Sequence, residues 1–202
     1  MREHQIPGMT LSIVQAPYIS RVVGYGTSDV DRRLLASPNT LWPVGEMTQA
    51  YTAVSIMQLV EAGKLTLDSR LSDFITGLPE EWQSLTLRQL LGHASGLPDY
   101  MSQPAFDVTR DYEPAEILGL IKNLPLAFKP GTQVARSASD FFLLGLVIEK
   151  ASGMTYEEFV TQGQIERLGL RNTLFPSALS KIKQEAVEQN GNWHKQFLSE
   201  SP

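Results

Sequence analysis

Leu41–Leu71 reads LWPVGEMTQAYTAVSIMQLVEAGKLTLDSRL. From Met47 to Ala62 its apolar residues, Ala50, Ala53, Val54, Ile56, Met57, Leu59 and Val60, fall on most faces of a helix. Such a helix is expected to be buried rather than amphipathic. Gly63 follows as a natural C-terminal stop, and Lys64–Asp68 leads towards a short second helix. Glu46 and Gln49 stand one helical turn apart at the start of this stretch, so they share a face.

Upstream, Met9–Val14 and Ile19–Val23 are rich in β-formers and flank the break at Ala16-Pro17. They are expected to form two adjacent antiparallel strands. Gly24-Tyr25-Gly26 would end the second, with Thr27–Asn39 as a polar connection. Downstream, Leu85–Leu91 reads as a helix ending at Gly92-His93-Ala94-Ser95-Gly96. Glu113-Pro114 opens another with proline at its first position, running to about Asn123. Pro130-Gly131-Thr132 is a turn, and the apolar run within Asp140–Ala151 is a core helix stopped by Gly153. Thr155 and Glu158 form a capping box for the next helix. Past Phe175 the composition turns polar: Lys181–Asn192 reads as a solvated helix or an irregular tail, with Trp193 and Phe197 as docking points. Trp42 and Trp82 read as packing residues.

Composition narrows the function classes. A chain of 202 residues with 42% hydrophobic and 19% charged residues is ordinary for a globular protein. A net charge of -5 leaves no basic stripe to neutralise phosphates, so a nucleic-acid partner is not expected. The absence of cysteine removes thiolate metal sites and a cysteine nucleophile. His4, His93 and His194 show no ligand spacing, and neither a metal nor a cofactor is expected. No stretch approaches the roughly 18 apolar residues of a membrane span. The compartment stays open: cytoplasmic, or periplasmic or secreted if a signal peptide has been removed.

Several of these stretches, from about Ile6 to Phe175, resemble the serine β-lactamase and penicillin-binding-protein superfamily, and within it the class C β-lactamase, esterase and D-aminopeptidase branch. The framing residues Gly45, Thr48, Ala50, Tyr51 and Thr52 match the family's active-site helix, and Gly92-His93-Ala94-Ser95-Gly96-Leu97 matches a family loop. The turn Pro130-Gly131-Thr132 and the run Leu143–Lys150 frame its second motif. The resemblance implies an α+β fold over residues 1–175, an antiparallel sheet flanked by helices with a mainly helical subdomain at about residues 67–129. Residues 176–202 would be a polar tail or the start of a C-terminal part whose sheet strands and third motif find no candidate here.

The same frame implies where catalysis would sit. The family's Ser-x-x-Lys supplies a nucleophile and a lysine to manage its proton, and its Tyr-x-Asn a second base and an orienting amide. Carried onto this chain, the serine position holds Glu46, the lysine Gln49, the tyrosine Arg136 and the asparagine Ala138. No family catalytic residue is retained, and no serine-hydrolase activity is expected. Thr48 and Ser137 are the hydroxyls within the motifs, His93 reads as structural and Asp99-Tyr100 as loop-shaping residues. Glu46 is expected to face Arg136 as a partly desolvated ion pair, with single substitutions costing ~3–5 kcal/mol. Three functions stay open: a non-catalytic homologue binding a small molecule or peptide in a retained cleft, a hydrolase of esters, amides or D-amino-acid peptides with a displaced nucleophile, or an assembly protein pairing with a second copy or complementing chain through an open sheet edge.

Overall fold

The computed structural model describes residues 1, 3–15 and 19–177. It divides into two compact units, residues 1–43 with residues 171–177, and residues 44–170. The fold is α+β. Trp193, Phe197 and the polar stretch Lys181–Asn192 lie outside the described residues.

In the first unit, β1 (Gly8–Gln15) and β2 (Ile19–Asp29) form an antiparallel hairpin in which Gly8 faces Gly26 and Leu11 faces Val23. A third short strand, β3 (Leu34–Leu35), adds to the far part of β2. Here the structure corrects the sequence reading. Gly24-Tyr25-Gly26 does not end β2, which runs on to Asp29, and the presumed polar connection contains β3. The cause is close backbone approach. A Cβ on Gly24 would collide with the carbonyl of Ala36, and one on Gly8 with that of Thr27. Glycine is therefore what lets the ladder continue. Trp42 is 40% exposed rather than packed away, its indole N–H donating to Thr10 Oγ1 at 2.9 Å.

The second unit is helical. Its elements are α1 (Thr48–Glu61), α2 (Glu80–Gln83), α3 (Leu87–Leu91), α4 (Pro114–Ile121), α5 (Ala138–Ser152) and α6 (Tyr156–Val160), followed by a π-helical turn at Thr161–Glu166. The helix expected after Asp68 is a single 3-10 turn, Leu71–Asp73. Local signals set the ends. Pro114 occupies the first turn of α4, Gly153 leaves α5 at φ 77°, and Thr155 with Glu158 caps α6 reciprocally. α5 is the spine of the core: Leu143, Leu144, Val147 and Ile148 are fully buried against Ile56 and Leu59 of α1, Leu87 and Leu90 of α3, and Trp82. The polar clamps around the π turn are also buried. Gln164 Nε2 donates to the Tyr51 carbonyl and to Ser55 Oγ, both at 2.8 Å.

α1 departs from the expectation of burial on nearly all faces. Thr52, Ser55, Ile56 and Leu59 are buried, whereas Val54 and Met57 are 46% and 48% exposed. Ala50, Val54, Met57 and Glu61 repeat at helical spacing and form one exposed stripe. A helix whose residues are mostly apolar hides which face is wet.

Candidate functional site

The second unit holds an open cavity of about 570 Å³ between the start of α1, the loop around Tyr100 and the outer side of α5. That volume suits a small organic ligand. Gly45, at φ 51°, turns the chain into a 3-10 turn that carries Glu46 to the rim just ahead of α1. Thr48, Gln49 and Thr52 follow on α1, and Arg136 and Ala138 enter from the segment that starts α5. Tyr100, Met101, Phe141, Phe142 and Leu146 make the walls mostly apolar. Tyr156 closes one side, its hydroxyl 2.7 Å from Thr52 Oγ1. Burial raises the pKa of both Tyr156 and Tyr100, so both stay neutral phenols at ordinary pH.

The four positions assigned from sequence come together: Glu46, Gln49, Arg136 and Ala138 all line this cavity. Arg136 and Glu46 form the expected ion pair. Its energetics differ from the expectation, because the two side chains are 54% and 69% exposed. Water solvates both charges, so the pair belongs with surface salt bridges worth ~0–1 kcal/mol and not with buried pairs. Of the two candidate hydroxyls, Thr48 lines the cavity and Ser137 does not. Ser137 is 3% exposed, and its Oγ accepts the Ser139 N–H at 3.2 Å as the cap of α5. Asp99 shapes its loop as anticipated. Its carboxylate accepts the N–H of Met101 at 3.1 Å and that of Ala138 at 3.3 Å, tying the loop to the first turn of α5.

Behind the cavity lies a polar chain that sequence reasoning missed. Asp140 is fully buried in α5. Its carboxyl accepts the Ser95 hydroxyl on one oxygen and lies 2.8 Å from His93 Nδ1 on the other. The opposite ring nitrogen, Nε2, lies 3.3 Å from Gln49 Oε1. Burial pushes the Asp140 carboxyl up to about 6, against the pull of its hydrogen bonds to Ser95 and His93. The signal in the sequence was the lone acid beside the apolar run of α5: a charge on a core helix needs a buried partner. Among the described residues no group of His, Asp and Glu is arranged to hold a metal ion, and no helix is long and apolar enough to cross a membrane.

The beta-lactamase family model matches residues 1–195 of the chain. The chain belongs to the beta-lactamase family. The match runs past Phe175, where the motif resemblance stops. Among its family relatives, Protein flp of Staphylococcus aureus (strain MW2) is 26% identical over 191 residues, covering 93% of this chain and 38% of that protein. Among solved structures, the octameric penicillin-binding protein homologue from Pyrococcus abyssi superposes with a TM-score of 0.75 at 28% identity, covering 90% of this chain and 43% of that one. The penicillin binding protein from Bacillus halodurans gives 0.67 at 30% identity, covering 80% and 49%. The chain thus spans under half the length of each of these family members.

Proposed function

We propose that this beta-lactamase-family chain binds a small molecule or peptide in its cavity and does not hydrolyse it by serine chemistry. One observation carries the reading: where the family frame calls for a nucleophile facing a base, Glu46 and Arg136 engage each other. An acyl transfer needs a nucleophile, a group to take its proton and donors for the oxyanion. Gln49 cannot act as a base, and the Ala138 methyl offers no orienting hydrogen bond. Thr48 and Thr52 remain as hydroxyls on the cavity, and Thr52 is engaged with Tyr156 and with the Thr48 carbonyl. The apolar walls with a few polar groups are the composition of a binding pocket. Chromogenic β-lactams and p-nitrophenyl esters are therefore expected to show no turnover above buffer. Turnover abolished by Thr48→Val would overturn the proposal in favour of a displaced nucleophile.

A second reading concerns assembly and rests on the hairpin. Leu11, Ile13 and Val14 of β1 are 40%, 52% and 77% exposed, and the outer edge of β1 has no strand beside it among the described residues. Exposed apolar edges of this kind pair with further strands. The archaeal relative is described as octameric. In this chain the hairpin is the surface we assign to a second copy or to a complementing segment. Sedimentation of the chain as a monomer at high concentration would count against it.

A further inference from the structure

We infer that the protonation state of the His93–Asp140 couple selects which half of the Gln49 amide faces the cavity, a hydrogen-bond donor when the couple holds its extra proton and an acceptor when it has lost it. The inference rests on the reading of the cavity as a ligand site only for its consequence, the class of ligand preferred.

The position of each proton decides which way the amide turns. With its extra proton, the couple is either a carboxylate with an imidazolium or a carboxylic acid with a neutral imidazole. In the first, Nδ1 donates to Asp140 Oδ2 across the 2.8 Å contact. In the second, the acid donates to Nδ1, which also lies 3.5 Å from the Ser137 N–H. Both arrangements leave a proton on Nε2. Only an acceptor can face it, and Gln49 Oε1 lies there at 3.3 Å. The planar amide then turns its NH2 away from the ring, and Gln49 lines the cavity. When the proton leaves, the carboxylate holds the remaining one on Nδ1, and Nε2 becomes a lone pair. An amide oxygen opposite a lone pair is repelled, so the amide rotates, its nitrogen donates to Nε2, and its oxygen faces the cavity.

The surroundings favour a switch at this place. His93 is held at φ 52°, a conformation a non-glycine residue keeps only where its surroundings fix it. Its carbonyl accepts the Ala135 N–H at 3.0 Å, and Phe141 lies against the ring at 5.1 Å. The ring is 17% exposed and Asp140 is wholly buried, so solvent does not mask the proton. Burial holds the Asp140 carboxyl near 6, and the 2.8 Å contact with His93 Nδ1 makes the proton between them a shared one. The charged groups on the surrounding elements include Asp99 in the loop carrying His93, Arg136 ahead of α5, Glu46 ahead of α1, Arg88 of α3, which is paired with Asp68, and Glu149 of α5, which accepts the Tyr156 N–H. Asp99 raises Asp140 further, while Arg136 and Glu46 are engaged with each other. At low pH the cavity thus presents NH2, suited to a carbonyl or carboxylate. At high pH it presents C=O, suited to an amine, amide N–H or hydroxyl.

Two measurements on the full chain test this. In the first, nitrogen NMR follows the His93 ring and the Gln49 side-chain amide from about pH 4.5 to about pH 8. The expected result is one step with a shared midpoint for His93 Nε2 and the Gln49 amide, and a displaced midpoint for both in Asp140→Asn. In Gln49→Met the His93 step should survive. If Asp140→Asn fails to fold, Ser95→Ala should displace the midpoint by removing one hydrogen bond to the same carboxyl. A Gln49 amide that stays constant while His93 titrates overturns the inference, as does a His93 ring that never changes protonation. The second measurement titrates acetophenone, a carbonyl acceptor that cannot donate. Its affinity should weaken several-fold, up to about tenfold, between the ends of the pH range, and not in Gln49→Met. Equal affinity at both ends overturns the ligand preference. No binding at any pH, with the NMR step intact, overturns the ligand reading of the cavity while leaving the switch in place.

Discussion

Asp140 is a buried acid whose ordinary carboxylate value of 3.8 is raised to about 6, with desolvation the largest cause. A raised acid means that the folded state holds a proton the unfolded chain releases. The stability tied to that proton is complete below 3.8 and is lost as pH rises through about 6. The urea midpoint of the natural sequence should therefore fall relative to that of Asp140→Asn as pH rises across that window, because Asp107 and Glu116, whose carboxyls are held low, contribute equally to both. An unchanged slope in Asp140→Asn would assign the pH dependence to other groups. Glu46 and Arg136 make the opposite case at the same scale. Both charges are mostly in water, so a double-mutant cycle with Glu46→Ala and Arg136→Ala should give a coupling of ~0.2–1 kcal/mol that shrinks with added salt. A coupling of several kcal/mol would mean that the pair is far less solvated than it stands here. The pairing itself was legible from motif register. Its exposure was not, because exposure depends on how far a cavity opens, which no local pattern encodes.

At the scale of elements, α5 carries the second unit. Leu144 is fully buried in it, and Leu144→Ala should cost ~2–5 kcal/mol in equilibrium unfolding. Met57→Ala on the exposed stripe of α1 should stay within about 0.5 kcal/mol, although both positions read as core in the sequence. A large loss at Met57 would show that another surface covers the stripe. The contrast explains what could be read in advance. Pro114 opening α4, Gly153 ending α5 and the Thr155–Glu158 box are short-range devices whose meaning lies within a few residues, and each was found where the sequence placed it. The wet face of α1 and the length of β2 depend on partners remote in sequence. β2 passes Gly24 because the backbone of Ala36 lies against it, a contact separated by a dozen residues. The Ser95–Asp140–His93–Gln49 chain joins three segments, so no single motif revealed it.

As a whole the molecule is an α+β member of the beta-lactamase family, and its activity is our proposal for a chain spanning 38% of the staphylococcal relative. The hairpin predicts association. Ile13→Lys together with Val14→Lys should reduce the concentration-dependent mass seen by sedimentation and leave the melting of the helical unit in place. The central claim is that the cavity binds without forming an acyl or phosphonyl enzyme, because Glu46 and Gln49 stand where the family frame places nucleophile and lysine. The most direct test is intact-mass spectrometry of the chain after incubation with a fluorophosphonate. The mass should be unchanged. A stoichiometric increase located by peptide mapping at Thr48, or at any other hydroxyl lining the cavity, would contradict it.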